Sequence, residues 1–151
     1  MRARARGITL GSKMSGEEST NVRVLVVDDQ PSFRRAAMDV IEATSGFEPS
    51  GEAASGEEAL ALVAELSPEL ILMDVRMPVM DGIATARVLT TDHPERVVVL
   101  ISINDPGELP PGIESCGAKA LIRKQDFGSF ALRRLWDTHG RPATGCPTPQ
   151  N

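Results

Sequence analysis

From residue 22 onward, short apolar runs alternate with amphipathic stretches. VRVLVV (22–27) is rich in β-branched residues and ends at Asp28, which predicts a buried strand. SFRRAAMDVIEA follows Pro31, and a first-turn proline is tolerated. Phe33, Ala37, Val40 and Ile41 fall there at helical spacing, and Ser45 with Gly46 is expected to end the helix. FEPSGEAA, broken by Pro49 and Gly51, reads as a weak strand at a sheet edge. SGEEALALVAEL reads as a helix with a capping box from Ser55 and Glu58, stopped by Pro68.

ELILMD (69–74) is a further apolar run ending in an aspartate. VRMPVMDG is a loop by its proline and its Asp81-Gly82 pair. IATARVLTTD is a helix stopped near Pro94. RVVVLI (96–101) is a buried strand ending at Ser102. AKALIRK (118–124) is a short strand ending near Lys124. DFGSFALRRLWDTHG is a closing helix, capped by Asp126 and stopped at Gly140. This alternation implies an α/β protein, an open doubly wound parallel sheet with right-handed crossovers and helices on both faces.

The rest of the composition narrows the function classes. A net charge of −5 argues against a nucleic-acid footprint, because DNA binders carry a basic face. No apolar run reaches about 18 residues, so no membrane span is expected. Cys116 and Cys146 have no partner spacing, which suits a reducing cytoplasm rather than a disulfide framework. Residues 1–20 carry alternating arginines and then small polar residues, and are expected to be a disordered extension. Residues 21–140 are expected to form the single domain. The Pro-rich residues 141–151 are expected to be a disordered tail.

In a sheet of this kind, ligands bind at the carboxyl ends of the strands. Asp28 and Asp29 end the first strand, Asp74 the third, Ser102 the fourth and Lys124 the fifth. Each residue alone has a plain structural reading as a turn, a cap or a solvated side chain. Together they gather three carboxylates, a hydroxyl and an ammonium at one edge. Carboxylates at close range raise one another's pKa, and a hard cation held by oxygen ligands relieves that; such a donor set suits Mg2+. A phosphoryl group on one carboxylate would separate the roles. Metal and lysine would face its equatorial oxygens, and the hydroxyl would donate to it.

VLVVDDQ, LILMDVRMPVMDG, VVVLIS and GAKALIRK resemble, in order and spacing, the receiver domain of two-component response regulators. The resemblance covers roughly residues 21–138. It implies a flavodoxin-like five-stranded sheet of order 2-1-3-4-5. It implies Asp74 as phosphoacceptor, Ser102 as switch hydroxyl and Lys124 as the phosphate contact. It implies a Mg2+ site from Asp28, Asp29, Asp74 and the backbone carbonyl of Arg76, with Pro78 and Gly82 shaping the loop after the acceptor. The implied phosphodonor is a sensor histidine kinase or a histidine phosphotransfer protein. A downstream protein target would be the output, and a homodimer is compatible with the family. No nucleic acid, no membrane and no turnover of an outside substrate are implied.

The chain departs from the family pattern in three places. Ile103 stands where a small residue normally follows the switch hydroxyl, which predicts slow entry of donors or water. Leu121 stands where an aromatic switch residue is usual. Residues 104–118 (NDPGELPPGIESCGA) occupy the place of the fourth helix. An interior proline costs about 3 kcal/mol and a glycine about 1 kcal/mol in a helix. Pro106, Gly107, Pro110, Pro111 and Gly112 therefore predict a loop, with at most a short turn near 113–116. Too few residues follow the closing helix for an output domain, so a stand-alone receiver is expected. The competing reading is a receiver-fold interaction module that works without phosphorylation. A metal-dependent phosphatase with an aspartyl nucleophile is disfavoured, because Arg76 occupies the place of its second, acid/base aspartate.

Overall fold

The computed structural model describes residues 21–77, 80–103, 109 and 111–140. The expectations for residues 1–20 and 141–151, and for Pro78, Pro106, Gly107 and Pro110, lie outside the described residues.

The elements run β1 (Val22–Val27), α1 (Pro31–Ala43), β2 (Phe47–Ala53), α2 (Gly56–Leu66), β3 (Leu70–Asp74), α3 (Gly82–Asp92), β4 (Val97–Ser102), β5 (Ala120–Arg123) and α4 (Ser129–His139). Short 3-10 turns lie at Ile113–Ser115 and Lys124–Asp126. The strands form one sheet of order β2-β1-β3-β4-β5, with every neighbouring pair parallel. This is the flavodoxin-like order expected from the sequence. The weak strand β2 lies at one margin, where Pro49 pairs with Val24 and the register then slips past Ser50. A proline is tolerated there because an edge strand has only one paired side.

Alternation along the buried strands feeds two cores. Leu25, Val27, Ile71, Met73, Val98 and Leu100 join Ala59 and Val63 of α2 and Ile83, Ala86 and Leu89 of α3. Val24, Val26, Leu70, Leu72, Val97, Val99 and Ile101 join Ala37 and Ile41 of α1 and Leu132 of α4. Each fully buried Leu, Ile or Val contributes about 1.5–3 kcal/mol. These two cores hold the sheet between its helices and fix which residues stand at its carboxyl edge.

Local details correct the sequence reading. Helix α1 ends at Ala43, before Ser45 and Gly46. Thr44 is its C-cap, with the Thr44 N–H on the Ile41 carbonyl and its hydroxyl on Val40. The Ser55 hydroxyl accepts from the Glu58 N–H at 3.1 Å as expected, but the Glu58 carboxylate takes its return bond from Ala54 rather than Ser55. Asp126 does not cap the closing helix. It sits in the Lys124–Asp126 turn and pairs with Arg123 at 3.2 Å. That turn closes with the Phe127 N–H on the Lys124 carbonyl, so α4 begins later, behind Gly128 and without a side-chain cap. Lys124 is accordingly the first residue of this turn rather than the last of β5. In the 104–118 segment, the Ile113–Ser115 turn is the regular structure among the described residues, entered through Gly112 at φ +92°. No helix of the described residues is long and apolar enough to cross a membrane.

Candidate functional site

Parallel pairing sets the carboxyl ends of β1, β3, β4 and β5 side by side, and that edge carries the candidate residues. Asp28 follows β1 and is fully buried, tied to β2 by its N–H on the Ala53 carbonyl. Its Oδ1 accepts from the Gln30 N–H at 2.8 Å, which turns the chain sharply into α1. Its Oδ2 lies 2.6 Å from Lys124 Nζ. That oxygen is buried but has no partner aligned as a hydrogen bond, so the lysine satisfies its charge and not its lone-pair direction. Asp29, next in sequence, is exposed at the mouth.

Asp74 ends β3 and is buried, with 6% of its surface exposed. Its Oδ2 is 3.6 Å from Lys124 Nζ, and its Oδ1 accepts from the Arg76 N–H at 3.4 Å. Burial pushes this carboxyl up to about 6, and the charge of Asp28 adds to the rise. Lys124 and the Arg76 N–H pull the other way. The loop beyond is pinned at both ends. The Val75 N–H bonds the Ile101 carbonyl at 2.9 Å, and the Gly82 N–H bonds the Val75 carbonyl at 2.9 Å. Glycine is required at 82, since a Cβ there would overlap the Asp74 carbonyl oxygen. Asp81 caps α3 by accepting from the Ala84 N–H at 2.8 Å.

Ser102 ends β4 and is 2% exposed. With Asp29, Gln30, Asp74, Arg76, Ile103 and Lys124 it lines an open pocket of about 160 Å3. One carboxylate oxygen from each of Asp28, Asp29 and Asp74 lies within 4.8 Å of the others. All the side chains proposed from sequence therefore meet at one place. Pro78 lies outside the described residues. Ile103 stands on the rim, 65% exposed. Leu121 is not among the pocket's lining residues and packs against the α2–α3 core.

Two neighbours were missed in the sequence reading. Gln30 lines the pocket, with its Oε1 3.4 Å from Lys124 Nζ. Its place directly after the acid pair was the available signal. Phe33 read as one more apolar position of α1, yet its ring lies 4.8 Å from Lys124 Nζ. Helical periodicity cannot distinguish a ring that packs on a core from one that also faces an ammonium.

The donor set fits a hard cation on two observations. Three carboxylates converge with oxygen donors only, and a buried Asp28 oxygen lacks an aligned hydrogen bond.

Comparison with known proteins bears on the whole edge. The response regulator receiver domain family matches residues 24–132. A protein-glutamate methylesterase/protein-glutamine glutaminase of Photobacterium profundum is 42% identical over 109 residues, covering 72% of this chain and 25% of that protein. Response regulator GacA of Pseudomonas viridiflava is 35% identical over 103 residues, covering 68% of this chain and 48% of that protein. The chain thus spans between a quarter and a half of these relatives. Among solved structures, the signal receiver domain of the response regulator NarL from Mycobacterium tuberculosis superposes with a TM-score of 0.71 at 30% identity, over 78% of this chain and 95% of that one. A CheX-CheY-BeF3-Mg2+ complex from Borrelia burgdorferi contains a chain that matches at TM-score 0.68 and 26% identity, over 77% of this chain and 87% of that one. With its sheet order, its acidic edge and this family match, the chain belongs to the response regulator receiver domain family of two-component signalling.

Proposed function

We propose that Asp74 accepts a phosphoryl group from a histidine kinase or a histidine phosphotransfer protein, and that the chain signals through a protein target in the cytoplasm. The observation that carries this reading is the placement of a buried Asp74 beside both Lys124 and two further carboxylates. With its carboxyl near 6, Asp74 is mostly ionised at pH 7 and is a more basic nucleophile than an ordinary aspartate. An Asp74 carboxylate oxygen forms the new bond to phosphorus. The bond from phosphorus to the donor histidine nitrogen breaks, and that nitrogen keeps the electron pair. Lys124 balances negative charge on the transferred group, and Ser102 donates its hydroxyl to it. Asp28, Asp29, Asp74 and the Arg76 backbone carbonyl would hold a magnesium ion, which when bound neutralises charge on the phosphoryl oxygens.

The product is an acyl phosphate on the chain itself, so the protein is a phosphoacceptor and not a turnover enzyme. The test is incubation with Mg2+ and beryllofluoride, a phosphoryl mimic, followed by 19F NMR. A bound fluoride signal that is absent in Asp74→Asn is expected; no signal in the wild-type chain would sink the reading. A second reading, a phosphorylation-independent interaction module, is favoured by the exposed Ile103 side chain at the pocket rim.

A further inference from the structure

Four partners surround the Lys124 ammonium, and they differ in kind. Asp28 Oδ2 lies at 2.6 Å, Gln30 Oε1 at 3.4 Å, Asp74 Oδ2 at 3.6 Å and the centroid of the Phe33 ring at 4.8 Å. The carboxylates are also the candidate groups for a cation. Their hold on Lys124 weakens when a cation binds them. The ring carries no charge that a cation could cancel. A cation facing an aromatic ring within about 6 Å is attracted by the ring quadrupole, most strongly where water is excluded. The Lys124 side chain is only 10% exposed, so this contact is largely desolvated.

Phe33 is itself fixed. It lies on the first turns of α1 and packs against the α1–α4 core. Its ring is tilted against Phe127, with centroids 6.3 Å apart and an interplanar angle of 55°. The Phe127 N–H bonds the Lys124 carbonyl at 3.2 Å. Lysine and braced ring are therefore linked by way of Phe127 and one tight turn.

We propose that Phe33 is a positioning residue for Lys124: its ring holds the ammonium over Asp74 when the competing charges of the pocket are neutralised. The inference rests on the phosphoacceptor reading above and adds to it a residue outside the acidic edge. It predicts that aromatic character at position 33, rather than apolar bulk, sets the strength of phosphoryl-mimic binding.

The test uses the full chain with Mg2+ and beryllofluoride, comparing Phe33→Leu, Phe33→Met and Phe33→Trp. Leucine and methionine keep apolar bulk, and tryptophan keeps the quadrupole. Expected is a roughly ten-fold weaker mimic affinity for the Leu and Met variants, and an affinity within about two-fold of wild type for Trp. Ten-fold corresponds to about 1.4 kcal/mol. In a Lys124→Met background the Phe33→Leu change is expected to have no further effect. A second readout does not depend on the mimic. The Lys124 ε-methylene protons should show an upfield ring-current shift that disappears in Phe33→Leu and persists after Mg2+ and beryllofluoride are added. Equal affinities for wild type and the Leu and Met variants, or a ring-current shift lost on mimic binding, would overturn the positioning role alone. Thermal unfolding identifies any variant that fails to fold, and the remaining members of the series then decide. Absence of mimic binding by the wild-type chain would overturn the phosphoacceptor reading and this inference with it.

Discussion

Lys124 Nζ lies 2.6 Å from Asp28 Oδ2, closer than to Asp74 Oδ2 at 3.6 Å, so the ammonium leans on the carboxylate before the acceptor. A cation entering among the three aspartates must share Asp28 with that ammonium. Two like charges about 5 Å apart repel, and with a doubly charged ion the cost is about 1–2 kcal/mol even at the dielectric of water. Lys124→Met is therefore expected to bind Mg2+ roughly ten-fold more tightly while binding beryllofluoride more weakly. Isothermal titration calorimetry with each probe checks both halves. Weakened Mg2+ binding in Lys124→Met would mean the lysine organises the acid cluster instead of competing for it.

The raised Asp74 carboxyl carries a pH signature. In the unfolded chain it ionises near 3.8, and in the fold near 6. Between those values the native state holds the extra proton, so stability falls as pH rises through that window and levels off above it. A shift of about two units corresponds to about 2–3 kcal/mol. With a chelator present, Asp74→Asn is expected to be the more stable protein at pH 7.5 by about 2 kcal/mol, and the difference should vanish by pH 4. Urea unfolding at both pH values measures this. An Asn variant less stable than wild type at pH 7.5 would contradict it.

Control of access to the same pocket is expected of Ile103. It stands on the rim with most of its surface in water, beside Ser102 and Asp74. Truncation to alanine is expected to speed both phosphorylation by acetyl phosphate and loss of the phosphoryl group, each by several-fold. Intact-mass time courses give both rates. Unchanged rates would assign Ile103 to a partner surface.

Gly82 leaves no room for a side chain where the acceptor loop meets α3. Its missing Cβ leaves room for the Asp74 carbonyl and the Val75 backbone. Neither neighbour can retreat, because Val75 is bonded to Ile101 and β3 is paired on both sides. Gly82→Ala is expected to cost about 2–3 kcal/mol, the range of overpacking in a rigid site. Chemical denaturation with unchanged stability would show that the loop yields.

Much of this site was legible in the sequence because strand ends announce themselves. An apolar run that stops at Asp74, or at Ser102, fixes both the element and the edge where the side chain emerges. The short Ile113–Ser115 turn was legible as the most regular structure that the neighbouring prolines and glycines allow. Starts and stops that depend on tertiary partners were not. Asp126 carries the right chemistry for a cap, but Arg123 claims it and a tight turn delays α4. Phe33 satisfied the helical period, and nothing in that period reveals the ammonium brought to it from ninety-odd residues away.

The margin of the sheet formed by β2 has a consequence for how copies of this protein behave together. Pro49 offers no N–H for pairing, and the slip past Ser50 breaks the even spacing of the backbone groups beside it. A second chain arriving along that margin finds neither a full row of donors nor a matching repeat. The residues that make β2 the weakest strand to recognise thus also make it a poor template for edge-to-edge pairing on that side.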